Sequence, residues 1–450
     1  MRRLLWLHAL LALSSQLAAQ PLEPSKSQVH RAAEIATVMS ILAEDALEIF
    51  DFPTLFEICT QTSAPVAAFD GRKDFGIAYR PVLNHMTGLH LATDGEESAW
   101  SRQCLERLIK KSGPGSRYFT PEDIQAQGMF YVHGQGLVLT KLEGNWVVRE
   151  ASAGSPAAAA GVETGDVLLS LDGVQLTRLT NTQLSDVLDS IKKPEAQLVW
   201  QSRRTARVET RLVKRVLAPA ASKVLVARMP DHLYMRIDRF DKDTKERFLE
   251  ALRAAQTDSR TAKVLDLRGN PGGLLPPTHW LAGVLGQKPN SGDWLPVKYR
   301  RGSMLENTML EGYLRGYRLM SGKISEPNET EARAWSEGPR WVVLIDDGTG
   351  SGAAWLAGVL KELNGAVLVG NTANTSNMSV HTVRPLGPNS AIRYETGRLI
   401  LPSGKFLAAG ELAADVPVGP DLNSIKPYPK NASEWSQDPM YQAVQNSLKR

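Results

Sequence analysis

The stretch WVVLIDDGTGSGAAWLAGVL, residues 341–360, runs from an apolar strand through a glycine-rich turn into a helical segment. A strand that leads through a short turn into a helix is the repeating unit of α/β folds. Ser351 stands where the turn meets the helix. This position raises two questions: whether Ser351 is a nucleophile, and which group would accept its proton.

The same alternation continues on both sides of this stretch. Residues 263–267 and 366–369 are apolar runs flanked by helix-like sequence, so we predict an α/β domain over residues 223–450. Residues 128–215 have a different sequence pattern, in which short β-like runs are separated by glycine turns. This pattern predicts a separate small β-rich module. Its runs lie at 137–139, 146–148, 167–171 and 197–200.

The N-terminal region, residues 27–125, is predicted to be mostly helical. Apolar residues recur at helical spacing over residues 27–50, and a second helix is expected over 100–111. With 450 residues, the chain is long enough for two or three domains. A hydrophobic content of 42% and a charged content of 22% are ordinary for globular proteins and exclude general disorder.

The charge pattern points away from nucleic acid. The formal net charge of +4 is spread along the chain without a basic block, so no nucleic-acid partner is expected. Residues 1–19 carry Arg2 and Arg3, an apolar run and then small residues, which predicts a secretory signal peptide. A membrane anchor is the alternative, but the apolar run is too short to span a bilayer. We therefore expect export, most simply to the periplasm.

Two cysteines, Cys59 and Cys104, lie in the N-terminal quarter. In an oxidising compartment an even pair predicts a disulfide, and two buried free thiols are the alternative. The eight histidines show no H-E-x-x-H spacing, so the sequence predicts no metal site.

The β-rich module contains a recognisable pattern. GQGLVL (residues 134–139) is followed by AGSPAAAAGVETGDVLLSLDGVQL (153–176), and together they resemble a PDZ domain of the bacterial protease type. Backbone N–H groups at Gly134, Gly136 and Leu137 would receive a peptide's C-terminal carboxylate, while its last residues add a strand to the sheet edge. A helix over 181–191 would form the other wall. The alternative is a structural β domain without a ligand.

A wider resemblance rests on the Ser351 turn together with VLDLRGNPGG, residues 264–273. With the signal peptide and the PDZ-like module, they make the chain from about residue 27 to its end resemble the C-terminal processing (tail-specific) serine peptidases. Residues 116–124 look like the segment before the family's PDZ domain. Residues 400–407 and 414–418 look like its C-terminal strands, and residues 438–448 like its closing helix. The resemblance implies cofactor-free hydrolysis of peptide bonds near the C-termini of proteins.

The resemblance also assigns the nucleophile. G-T-G-S-G-A-A, residues 348–354, places Ser351 at the family's catalytic serine. The oxyanion hole would use backbone N–H groups of Ser351, Gly352, Gly272 and Gly273, because such donors suit the charge that develops during acyl transfer.

The general base is where the chain departs from the family. The expected lysine falls on Ser376 or Asn377 in VGNTANTSNMSVHTV, residues 369–383, and no lysine occurs between Lys361 and Lys405. The glutamate of the serine motif is replaced by Ala354. A serine needs an adjacent base to become a good nucleophile, so catalytic competence is in doubt.

Two histidines could replace the lysine. Aligning SVH with the family's SVQ puts His381 where a glutamine normally orients the lysine, and an imidazole can serve as the base. His279, six residues after Gly273, is the weaker choice.

Two other functional classes are alternatives to an active peptidase. One is a non-catalytic peptide-binding protein that keeps the fold and the PDZ groove. The other is a dinucleotide-binding enzyme, because residues 348–353 fit G-x-G-x-x-A. That fingerprint requires an acidic residue near the end of the next strand, where this chain has Asn371.

Overall fold

The computed structural model describes residues 24–449 apart from positions 47, 49, 92, 114, 135, 215 and 377 and the segments 65–74, 121–131, 189–194, 219–221, 257–258, 287–296, 300–328, 388–389 and 420–424. The predicted signal peptide lies outside the described residues. The chain divides into two compact units, residues 1–118 with 383–394, and residues 119–382 with 395–450. Over the described ranges, no helix is long and apolar enough to cross a membrane.

Four helices form most of the first unit: α1 (Lys26–Asp45), α2 (Phe52–Thr60), α3 (Phe75–Gly88) and α4 (Asp94–Lys111). Helix α4 begins earlier than its apolar periodicity predicts, because Thr93 and Glu96 form a capping box. A disulfide joins Cys59 of α2 to Cys104 of α4. The short strand β1 (Arg117–Phe119) follows.

The β-rich module begins the second unit. Its strands and helices are β2 (Val132–Gly134), β3 (Leu137–Leu142), β4 (Asn145–Ala151), α5 (Pro156–Ala159), β5 (Val167–Leu171), β6 (Val174–Gln175), α6 (Asn181–Leu188), β7 (Glu195–Gln201), β8 (Val208–Lys214) and β9 (Val216–Ala218). The main sheet has the order β3-β4-β5-β7-β8, with β6 paired to β5, and β2 pairs with β9. Strand β3 therefore lies at the edge of this sheet.

The rest of the second unit is an α/β domain. Its elements are β10 (Val224–Arg228), β11 (His232–Ile237), α7 (Thr244–Ala255), β12 (Ala262–Asp266), α8 (Leu275–Leu285), β13 (Val297–Tyr299), α9 (Glu329–Ser336), β14 (Trp341–Ile345), α10 (Ser351–Asn364), β15 (Val367–Gly370), β16 (Ser379–Pro385), β17 (Ala391–Leu399), β18 (Val416–Pro417), α11 (Ala432–Ser436) and α12 (Tyr441–Lys449). The central sheet has the order β10-β11-β12-β14-β15-β18, with β10 antiparallel to β11 and the other neighbours parallel. Strand β17 pairs with β13 and β16.

Helices cover both faces of the central sheet, which explains why its strands are continuously apolar. Leu265 and Val343 face a core shared with helices α7, α8 and α10. Val264 and Val342 face the other way, toward a core that includes Trp435 of α11. Strands β12 and β14 run parallel, so the turns at their carboxyl ends meet, which is where α/β sheets place ligands.

The C-terminal segment differs in part from its expected strands. Residues 400–407 form a tight turn closed by a bridge between Ile400 and Phe406, because the Pro-Ser-Gly sequence at 402–404 favours a turn. Gly404 takes a positive φ of 82° there. Residues 414–418 do contain strand β18, and α12 overlaps the expected closing helix over residues 441–448.

Candidate active site

The backbone at Ser351 is strained. Ser351 is the first residue of α10 and has φ +48°, a left-handed conformation that costs a non-glycine residue about 1–2 kcal/mol. It is half-buried at the carboxyl end of β14. A strained strand-turn-helix junction of this kind is used by serine hydrolases to hold a nucleophilic hydroxyl above the sheet.

Hydrogen bonds accepted by Asp346 and donated by Thr349 hold the serine turn against the glycine turn after β12. One carboxylate oxygen of Asp346, Oδ1, accepts from the N–H groups of Gly269 at 2.8 Å and Gly348 at 3.0 Å. The hydroxyl of Thr349 donates to the Leu267 carbonyl at 2.9 Å. These bonds give partners to several buried polar groups and hold the two turns in one arrangement.

Glycine allows the second turn to approach Ser351 closely. Gly272 has φ +96°, and a Cβ atom added to it would lie 2.9 Å from the Ser351 Cβ and 3.0 Å from the Gly350 carbonyl oxygen. A Cβ on Gly273 would lie 2.1 Å from the carbonyl oxygen of Phe240. Neither position has room for a side chain.

The backbone donors around Ser351 are not equivalent. The N–H of Gly272 already donates to Asn270 Oδ1 at 2.8 Å, so this group is not available to a substrate. The role of Gly272 is to let the glycine turn pack closely against Ser351. The N–H groups of Gly273 and Gly352 make no hydrogen bond to any described residue. Of the three glycines that the resemblance implies for the oxyanion hole, only these two have an N–H group without a hydrogen bond to a described residue.

The segment in which the resemblance places a lysine lies beside the serine turn. The N–H of Asn374 donates to the Thr349 carbonyl at 2.8 Å, and Asn374 forms an isolated parallel β-bridge with Gly350. Ser376 is exposed, and its hydroxyl lies 2.5 Å from Asn374 Oδ1. Asn377 lies outside the described residues. Sequence reasoning missed Asn374, because an asparagine in a loop carries no distinctive pattern.

Neither histidine forms a hydrogen bond with Ser351. Within the described part of the chain the Ser351 hydroxyl has no hydrogen-bond partner of any kind. His381 lies half-buried on β16. His279 is buried in α8, and its ring centroid lies 4.7 Å from that of Trp355. Burial lowers the pKa of His279 to about 3, so this imidazole is neutral at pH 7.

Strand β3 forms one edge of the main sheet of the β-rich module. Gly136 has φ +77°, and an added Cβ would lie 2.1 Å from the Ser155 Cβ, so only glycine fits there. Leu139 of β3 and Val187 of α6 both pack on the module's core. Gly134 lies in β2 and Leu137 begins β3, so the predicted carboxylate site lies at the start of the free edge of β3, the edge that pairs with no described strand.

A side chain of the serine turn contacts this edge directly. Asp347 accepts from the Lys141 N–H at 2.6 Å and from the Thr140 hydroxyl at 2.9 Å. Burial, together with the neighbouring charge of Asp346, raises the pKa of Asp347 to about 6. Sequence reasoning missed this residue, because a lone aspartate in a glycine-rich turn looks like ordinary turn chemistry.

Tyr428 forms a second link between the module and the serine turn. Its hydroxyl donates to the other Asp346 oxygen, Oδ2, at 2.5 Å, and burial raises its pKa, with the Asp346 charge adding to the shift. The guanidinium groups of Arg236 and Arg149 lie 4.3 and 4.6 Å from its ring centroid. Lys430 pairs with Glu150 of the module at 2.8 Å.

A buried ion network holds the start of the glycine turn. Arg268 donates to Asp266 at 2.7 Å and to Asp438 at 2.9 Å. Burial acts to raise the pKa of Asp266, but Arg268 and Arg236 outweigh it and the pKa lies below its ordinary value. In the described ranges, no cluster of three or more histidine, cysteine or acidic side chains could hold a metal ion.

These features match two known families. Residues 231–418 match the profile of peptidase family S41, and residues 147–200 match that of the PDZ domain. The chain is therefore similar to peptidase family S41 over residues 231–418 and to PDZ domains over residues 147–200. The predicted α/β fold, the PDZ module and the helical N-terminal region are confirmed.

The relatives are distant. A carboxy-terminal-processing protease of Bartonella bacilliformis is 27% identical over 272 residues, which are 59% of this chain and 56% of the relative. A probable CtpA-like serine protease of Staphylococcus aureus is 24% identical over 339 residues, 73% of this chain and 62% of the relative. The chain therefore spans less than two thirds of the length of these relatives.

A solved structure supports the fold. A photosystem II D1 C-terminal processing protease is similar with a TM-score of 0.50 at 18% identity, covering 88% of this chain and 94% of that one.

Proposed function

We propose that this S41 homologue binds the C-termini of polypeptides in its PDZ groove and presents the preceding residues to Ser351, with little or no turnover. The observation that carries this proposal is the strained Ser351 junction packed against Gly272. It is the geometry that a serine peptidase needs, kept in a chain that lacks the usual base.

The chemistry follows from the groups at the site. Attack by Ser351 on a peptide carbonyl would place the developing oxyanion near the N–H groups of Gly273 and Gly352. The hydroxyl must lose its proton at the same time, and a serine without an adjacent base is a weak nucleophile. Hydrolysis should therefore be slow unless His381 reaches Ser351 when substrate is bound.

The test is proteolysis of an unfolded protein with an apolar C-terminus, together with labelling by a serine-directed fluorophosphonate. We expect very slow cleavage and slow labelling, both abolished in Ser351→Ala. Rapid cleavage that persists in Ser351→Ala would contradict the assignment of the nucleophile.

A second candidate function is peptide binding without any catalysis. It is favoured by the absence of a hydrogen-bond partner for the Ser351 hydroxyl among the described residues. Its test is calorimetry with a peptide that has a free apolar C-terminus and with the same peptide amidated. We expect tighter binding of the free form, because amidation removes the charge that the backbone donors recognise. Equal affinity would contradict carboxylate capture at Gly134, Gly136 and Leu137.

We also propose that the protein acts after export, most simply in the periplasm. The predicted signal peptide supports this location, and so does the Cys59–Cys104 disulfide, since disulfides persist in oxidising compartments. Protein purified from the periplasm should show no free thiol under denaturing, non-reducing conditions. Two titratable thiols would contradict the proposal.

A further inference from the structure

The free edge of β3 is already occupied at one position by a side chain of the serine turn. Asp347 accepts the backbone N–H of Lys141 at 2.6 Å and the hydroxyl of the buried Thr140 at 2.9 Å. A carboxylate oxygen on an edge N–H takes the place that the carbonyl of an added strand would occupy. Asp347 thus imitates one residue of a bound peptide.

The position of this contact along β3 sets its consequence. A peptide whose carboxylate lies at the start of β3 must run antiparallel to β3, so its upstream residues approach Lys141. Strand hydrogen bonds alternate, so the N–H of Leu139 points to the same free edge as that of Lys141. Only the four residues 137–140 precede the occupied position.

We propose that Asp347 is a built-in competitor at the upstream end of the PDZ groove, which limits strand pairing to about the last four residues of a bound C-terminus. Residues further upstream must leave the edge of β3 at Asp347, in the turn that carries Ser351. This inference rests on the proposed peptide binding and adds to it a limit on length. Removal of the carboxylate would open the Lys141 N–H to a longer peptide strand.

The experiment measures the affinity of four-, six- and eight-residue peptides that share one apolar C-terminus with a free carboxylate. The full chain carries Ser351→Ala to prevent cleavage. We expect the affinity to change by less than twofold with length when Asp347 is present. In Asp347→Ala the six-residue peptide should bind about fivefold more tightly than the four-residue peptide. Asp347→Asn keeps an acceptor oxygen and should retain the length limit.

A matched control separates release of the edge from loosening of the module. Lys430→Ala removes the ion pair with Glu150 without touching β3, and should keep the length limit. Equal length dependence with and without Asp347 would overturn the inference while leaving peptide binding intact. A steady gain in affinity with length in the Ser351→Ala chain that retains Asp347 would also overturn it, even if Asp347→Ala fails to fold. Failure of every peptide to bind would overturn the peptide-binding proposal, and this inference with it.

Discussion

The serine turn and the segment predicted to supply its base lie side by side, yet only the serine turn has the residues that the resemblance implies. Asn374 donates to the Thr349 carbonyl, so the backbone places the two segments together. The serine turn retains its strained serine and its glycine neighbours, whereas the other segment has Ser376 where the resemblance implies a lysine. The two segments are thus held together in a chain that lacks the side chain implied by the resemblance at one of them.

This contrast has a physical basis. The serine turn is held by many mutually dependent contacts, including the two N–H groups on Asp346 and the tyrosine hydroxyl on its other oxygen. A substitution there would leave buried polar groups without partners, at a cost of about 1–3 kcal/mol each. Ser376 is exposed, so its replacement disturbs little beyond the chemistry itself.

Restoring the lysine should produce the largest effect. A positioned general base typically contributes 10²–10⁴-fold, so we expect Ser376→Lys to raise peptide hydrolysis by about 100-fold. Asn377→Lys covers the alternative alignment. The measurement is the rate of cleavage of an unfolded substrate with and without the substitution.

The control for this gain is the double variant Ser376→Lys with Ser351→Ala, which should return to the background rate. If neither lysine raises the rate, the base segment has lost its position as well as its side chain. That result would contradict the inference that the two segments differ only in their side chains.

A side chain at Gly272 should damage the serine turn. The added Cβ of Gly272→Ala would contact the Ser351 Cβ and the Gly350 carbonyl at φ +96°, so we expect a loss of about 2 kcal/mol in the free energy of unfolding. Labelling of Ser351 by a fluorophosphonate should fall about tenfold. Urea denaturation and the labelling rate provide the two measurements.

Gly365→Ala is the matched control, because Gly365 also has a positive φ, of 63°, but no atom lies within 4 Å of its added Cβ. It should cost about 1 kcal/mol and leave Ser351 labelling unchanged. Equal losses in the two variants would show that the conformation alone matters and that close approach to Ser351 does not.

The central strands, the PDZ module and the Ser351 junction could be predicted from sequence, because each depends on local patterns. The apolar strand predicted at the start of the 341–360 stretch is observed at Trp341–Ile345, since a five-residue apolar run before a polar, glycine-containing turn admits few alternatives. Asp347 and Tyr428 could not be predicted. Their roles depend on partners about 200 residues or more away, at Thr140 and Arg149, and no local pattern encodes such pairs.

The role of His381 remains a prediction, and its test sharpens the comparison further. If its imidazole acts as the base, the residual activity should rise with pH as the ring loses its proton, because only the neutral form can accept the serine proton. His381→Ala should then lower that activity about tenfold or more. An unchanged rate and pH profile in His381→Ala would exclude this histidine as the base.

The last prediction concerns His279, the other histidine, which packs against Trp355 of α10. Its pKa is lowered from 6.5 to about 3 by burial, so between these values the folded state binds fewer protons than the unfolded state. Stability contributed by the neutral imidazole is therefore fully present above pH 6.5 and is lost as the pH falls toward 3. The contribution of one such group changes by at most about 1.4 kcal/mol per pH unit.

His279→Phe keeps an aromatic ring against Trp355 and cannot be protonated, so the unfolding free energy of this variant should fall less steeply on acidification. Urea denaturation at pH 7, 6 and 5 measures the difference in slope. Identical slopes for the two proteins would mean that His279 is protonated in the folded state as readily as in the unfolded chain. That result would contradict the description of His279 as a buried, neutral side chain.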